Sequence, residues 1–75
     1  MKSAKIRLSS IEAVRNFVEI VRKYDSEIDL SSGRYIVDAK SIMGIFSLDL
    51  LQPITLTAHC DSCEELLEDI KPFVV

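Results

Sequence analysis

Apolar and polar residues alternate along this chain with two different periods, and the switches between them mark its elements. From Lys2 to Leu8, residues Ala4, Ile6 and Leu8 fall on one side and Lys5 and Arg7 on the other, the period of two of a half-buried strand. Val14, Phe17, Val18, Val21 and Tyr24 then recur at i, i+3, i+4, i+7 and i+10. Arg15, Asn16, Glu19, Arg22 and Lys23 fill the gaps, which predicts an amphipathic helix. Its start is marked by Ser9-Ser10-Ile11-Glu12. Ser9 as cap with Glu12 reaching back makes a capping box, and Ser10 is the alternative cap. Residues 27–39 read as a hairpin: Glu27-Ile28-Asp29-Leu30 and Arg34 to Ala39 are its strands and Ser31-Ser32-Gly33 its turn.

Lys40 to Leu51 carries Ile42, Met43, Ile45, Phe46, Leu48, Leu50 and Leu51, too dense an apolar set for a surface loop. Ser41 is a good N-cap for a short helix here, although Gly44 weakens it. After Pro53, residues Ile54, Leu56, Ala58 and Cys60 alternate with Thr55, Thr57 and His59 as a last strand, Cys60 facing inward and His59 outward. Asp61-Ser62-Cys63-Glu64-Glu65 offers either of two capping boxes for a final helix over 62–71, with Leu66, Leu67 and Ile70 inside and Pro72 as its stop. The order β-α-β-β-α-β-α predicts an α+β fold, a sheet open on one face and covered by helices on the other.

Composition narrows the function classes. With 75 residues, 48% apolar and 28% charged, the chain fits a single folded domain over 1–75 and not a disordered segment. A formal charge of −3, with no basic run, removes the electrostatic case for nucleic acid. No apolar stretch approaches the ~18 residues of a membrane span. Arg7 stands where a signal peptide would turn apolar, and two cysteines do not make a secreted disulfide framework, so a cytoplasmic protein is expected. One His and two Gly leave no Ser-His-Asp triad, metal-ligand cluster or phosphate-binding Gly loop, so neither an enzyme nor a cofactor is expected. Glu12 with Arg15 and Glu19 with Arg22 are spaced for i,i+3 pairing on a solvated helix face.

His59, Cys60 and Cys63 are the remaining candidate chemistry. A Cys-x-x-Cys between a strand end and a helix start is a redox placement, and His59 beside it offers a third zinc ligand where a closed site needs four. Strand alternation puts His59 and Cys60 on opposite faces and favours a buried structural Cys60 with an incidental Cys63.

Lys40-Ser41-Ile42-Met43-Gly44-Ile45-Phe46-Ser47-Leu48 resembles the regulatory-serine segment of the HPr phosphocarrier family of the sugar phosphotransferase system. Val37-Asp38-Ala39, Ile54-Thr55-Leu56-Thr57-Ala58 and Lys23-Tyr24-Asp25 also look like that family, so the resemblance spans nearly the whole chain. It implies the HPr-like open-faced sandwich, a four-stranded antiparallel sheet with helices on one face. The family's functional turn, Gly-x-His-Ala-Arg-Pro-Ala, is not matched. Aligned back from Lys23-Tyr24-Asp25 without a gap, Ser10 stands at the histidine position, Glu12 at the arginine position and Ala13 at the proline position. Phosphoryl relay needs an adduct of high transfer potential, which an imidazole nitrogen forms and a serine ester does not. Glu12 would repel a phosphoryl group of about −1.5 to −2 charges where the family's arginine would bind it.

The resemblance therefore implies a degenerate member, similar to the catabolite-repression HPr proteins, which lack the histidine and keep the serine. It marks Ser41 as a phosphorylation site for an HPr kinase, the phospho form binding a LacI-type repressor, and Ile42, Met43 and Phe46 as a partner surface. Phosphate at a helix N-terminus gains about 0.3–1 kcal/mol from the dipole. The expected function is that of a non-enzymatic regulatory or adaptor protein, monomer or dimer, with a phosphotransferase-system carrier as first alternative. A redox or metal-responsive protein built on Cys60 and Cys63 is the second.

Overall fold

A buried Ile54, Leu56 and Ala58 at every second position of one strand set the plan of the molecule. In the computed structural model, which describes residues 2–60 and 63–75, this strand lies inside a four-stranded antiparallel sheet. The strands are β1 (Lys2–Ile6), β2 (Glu27–Ser32), β3 (Tyr35–Asp38) and β4 (Ile54–His59), in the order β1-β4-β2-β3. Helices α1 (Ile11–Val21) and α2 (Ile42–Phe46) connect β1 to β2 and β3 to β4, and α3 (Glu64–Asp69) follows β4, ahead of a 3-10 turn, Lys71–Phe73. The α+β sandwich expected from the sequence is the fold observed. No helix among the described residues is long and apolar enough to cross a membrane.

Register explains the layering. Ile6 pairs with Ile54, and Leu56 lies between Ala4 and Leu30, so one side of every strand points at the helices. Ile6, Leu8, Ile28, Leu30, Ile54, Leu56 and Ala58 meet Val14, Phe17, Val18 and Val21 of α1, Ile45 of α2 and Leu66 of α3 in one buried cluster. Phe17 is fully buried and meets Phe73 edge to face, ring centroids 5.7 Å apart. The C-terminal residues run along the outer edge of β1: Val75 N–H donates to Lys5 and Arg7 N–H to Phe73, which blunts part of a free strand edge.

Several local expectations are corrected. Ser10, not Ser9, caps α1, its Oγ accepting from Ala13 N–H at 3.0 Å, so Glu12 is not part of a capping box. The apolar period runs on to Tyr24 but α1 ends at Val21, because the N–H groups of Lys23 and Tyr24 turn back to carbonyls three residues earlier. The last helix is α3 (Glu64–Asp69), shorter than 62–71, and Pro72 lies inside the 3-10 turn instead of stopping the helix. Cys63 is its N-cap without a side-chain cap bond, while the expected caps Asp61 and Ser62 lie outside the described residues. Among the described residues neither Glu12–Arg15 nor Glu19–Arg22 forms an ion pair; the Arg22 guanidinium donates to the Lys40 carbonyl at 3.4 Å instead. Gly44, expected to weaken α2, has a packing reason. A Cβ there would lie 3.3 Å from Val37 Cβ and 3.2 Å from Ser41 Oγ, so its absence lets α2 press onto β3. Gly33 sits at φ +60 in the β2–β3 turn, as the sequence requires.

Leu56→Ala removes a fully buried side chain from the middle of the sheet and is expected to lower unfolding stability by about 2–5 kcal/mol. Ile36→Thr, on the exposed β3, is expected to stay within about 0.5 kcal/mol. Midpoints of urea unfolding compare the two.

Candidate functional site

Antiparallel pairing of Ile6 with Ile54 brings the loop leaving β1 and the loop entering β4 to the same end of the sheet. Between them lies a cavity of about 380 Å³ lined by Arg7, Leu8, Ser9, Ser10 and Ile11 from one side and Phe46, Leu50 and Leu51 from the other. Its wall is mostly apolar. Ile11 is 68% exposed and Leu51 85%, values that leave large apolar side chains in water at its rim. Arg7 is the cation among its lining residues.

Ser10 and Phe46, both marked by the sequence, therefore meet at one cavity. Ser10 Oγ is committed to the Ala13 N–H. Glu12 is exposed in the first turn of α1 and does not line the cavity. Ile11, Leu51 and Arg7 were not singled out as site residues by sequence reasoning. Periodicity carried no signal for Ile11, which stands three residues before Val14 and seven before Val18 and so continues their stripe, yet lies exposed in the first turn of α1.

Ser41 lies at the other end of α2. Its exposed side chain caps the helix, Oγ accepting from Gly44 N–H at 3.2 Å, and its own N–H donates to the Asp38 carbonyl at 3.0 Å. The loop before it is held firmly. Lys40 N–H donates to Asp38 Oδ1 at 2.8 Å, and Lys40 Nζ donates to the Tyr24 carbonyl at 2.5 Å. Of the expected partner surface, Met43 is 77% exposed and Phe46 39%, whereas Ile42 is half-buried against the core. Ile45 and Leu48 are buried, as their spacing requires.

The redox and metal trio separates. His59 Nε2 pairs with Asp29 Oδ2 at 2.9 Å on the open face of the sheet. Cys60 and Cys63 are bonded to each other as a disulfide. Cys63 is the buried member at 3% exposure and Cys60 only half-buried, which reverses the reading of Cys60 as the buried residue and Cys63 as incidental. The helix following so closely on β4 carries Cys63 inward, a placement that strand alternation alone does not contain. Among the described residues no three His, Cys, Asp or Glu side chains gather as a metal site.

Comparison with known proteins adds four findings. The family model described as "PTS HPr component phosphorylation site" matches residues 11–75. The solved structure of HPr-C-His from Thermoanaerobacter tengcongensis is similar, with 30% identity, a TM-score of 0.82, and coverage of 99% of this chain and 91% of that one. The phosphocarrier protein HPr from Bacillus anthracis str. Ames is 29% identical with a TM-score of 0.71, over 99% of this chain and 94% of that one. No curated protein matches the sequence.

Two measurements probe the local geometry. Ser41→Ala removes the α2 cap and is expected to cost about 1 kcal/mol of unfolding stability. The Tyr24 hydroxyl donates to the Asp69 carboxylate, which favours the neutral phenol and, with partial burial, pushes it up to about 12. Because the folded value lies above the unfolded one of about 10, this tie between the segment after α1 and α3 stabilises fully below pH ~10 and is lost as pH rises through the folded value. Ultraviolet phenolate titration is expected to show a late step that Tyr24→Phe abolishes.

Proposed function

This chain belongs to the HPr phosphocarrier family of the phosphotransferase system, and from that premise we propose that it acts as a cytoplasmic regulatory adaptor without histidine phosphoryl relay. Family members carry phosphate and bind protein partners; they are not catalysts in their own right. Within that frame Ser41 is the switch, and Met43 and Phe46 on α2 form the docking surface together with Ile11 and Leu51 around the cavity.

The observation that carries this reading is the setting of Ser41. Its hydroxyl is exposed beside Met43, and the Arg22 guanidinium reaches the carbonyl of the adjacent Lys40. A phosphate on Ser41 would place about −1.5 to −2 charges near that cation and at the edge of an exposed apolar patch. Helix α2 has only five residues, so its dipole contributes less than a long helix would. Charge and apolar contact together are what a phosphorylation-dependent protein surface needs. A repressor of LacI type is the partner class that resemblance to the catabolite-repression HPr proteins supplies.

The absence of relay rests on Ser10 at the family's histidine position and Glu12 at its arginine position. Neither supplies an imidazole nitrogen or a cation to a phosphoryl group. One observation favours the carrier reading instead. Arg7 lines the cavity beside Ser10 and could pair with an anion there.

Incubation with an HPr kinase and ATP, followed by mass spectrometry, is expected to place one phosphate on Ser41 and none on Ser41→Ala; an unmodified Ser41 removes the switch. Incubation with phosphoenolpyruvate and enzyme I is expected to leave no acid-labile phosphate, and a labelled protein would restore the carrier reading. Combined Met43→Ala and Phe46→Ala substitution is expected to weaken binding of the phospho form to its repressor by roughly tenfold or more, about 1.4 kcal/mol, in a binding titration.

A further inference from the structure

We propose that Cys60 and Cys63 form a thiol–disulfide exchange centre, opened by low-molecular-weight thiols and closed by low-molecular-weight disulfides. It is independent of Ser41 and of the cavity. The two residues bridge the junction of β4 and α3, with their Cα atoms 6.1 Å apart, inside the range of about 4.4–6.8 Å that a disulfide spans without backbone movement.

Three features separate this bond from a structural staple. First, its cysteines are only three positions apart, and a cross-link closing so short a loop removes the least entropy from the unfolded chain. The sheet, α1 and α2 already share a buried cluster extending from Ile6 to Ile70, so the fold has its own support. Second, the two sulfurs differ in access. Cys60 is half-buried at the end of β4, whereas Cys63 is 3% exposed and packed into the core. An incoming thiolate therefore reaches Cys60, and Cys63 is the sulfur that departs into shelter. Third, the open state is provided for. The Cys60 carbonyl oxygen lies 3.5 Å from Cys63 Sγ and can accept the S–H of a reduced Cys63, so opening the bond leaves no buried donor without a partner.

The exchange balances as follows. A thiolate RS⁻ attacks Cys60 Sγ, forming RS–S and breaking the Cys60–Cys63 bond; the electron pair leaves on Cys63 sulfur, which takes up a proton. A second RS⁻ attacks the R-bearing sulfur, releases Cys60 as a thiolate that is then protonated, and yields RSSR. In sum two RSH are oxidised to RSSR and the protein disulfide is reduced to two thiols; closure is the reverse, with RSSR as oxidant. His59 takes no part, since it is held on the open sheet face by Asp29.

The test uses the full chain and glutathione as the probe. Protein purified without reductant is expected to contain no free thiol even when denatured, and two after treatment with excess reduced glutathione. In the native reduced protein, Cys60 is expected to alkylate roughly tenfold or more faster than Cys63. Glutathione disulfide is expected to close the bond again within one molecule. Cys63→Ser should stop at a mixed disulfide on Cys60, while Cys60→Ser should acquire glutathione far more slowly. Circular dichroism establishes that each variant is folded, and the wild-type alkylation rates need no variant at all. Equal alkylation of the two native thiols, failure of glutathione disulfide to re-form the bond, or closure only between two chains would each overturn the proposal.

Discussion

Everything in this molecule leans on β4. The strand is paired on both sides, with β1 and with β2, so within the sheet it joins the N-terminal strand to the hairpin. Its Ile54, Leu56 and Ala58 are fully buried beneath the helices, while Thr55, Thr57 and His59 remain on the open face. A one-residue slip in its register would exchange those two sets and put threonines and a histidine into the core. That penalty fixes the register, and the register fixes which loops become neighbours.

Two ends of the sheet thereby acquire different characters. At the end where Ile6 meets Ile54, the loops carrying Arg7 to Ile11 and Phe46 to Leu51 enclose an apolar cavity. Toward the other end, Lys40 and Tyr24 tie the segment before Ser41 to the end of α1. Ser10 and Ser41 are thus separated by the length of α2, although both use a hydroxyl to cap a helix. Capping is a folding role. What distinguishes Ser41 is its surroundings: exposed Met43 on one side and the Arg22 guanidinium near the preceding residue. The Cys60–Cys63 bond lies between the end of β4 and the start of α3, with Cys63 buried.

Much of this was legible in the sequence because it depends on local periodicity. Alternation at 2–8, 27–30 and 54–59 and the helical stripe from Val14 to Val21 each state which side of an element is apolar, and burial follows from that. Ser41 as a cap, Gly33 as the turn glycine, and Ile45 and Leu48 as core are properties of a residue and its near neighbours. Met43 and Phe46 came instead from the family resemblance, which marked them together with Ile42; the two are exposed and Ile42 is half-buried.

The tertiary structure decided what depends on residues far apart in the chain. Gly44 reads as a weak helix residue until Val37 of β3 is seen against it. Arg7, Ile11 and Leu51 become cavity residues only because β1 and β4 align, and Arg22 turns to the Lys40 carbonyl instead of to Glu19 because the loop after β3 passes beside α1. Cys60 and Cys63 exchanged their expected roles because a strand's alternation does not extend past β4, and Cys63, as the N-cap of α3, lies in the core. The sequence by itself determined the elements and their inward faces, since both follow from spacing along one chain segment. Which side chains share a site was settled only by packing, since the free energy of burying one face depends on every other face that covers it.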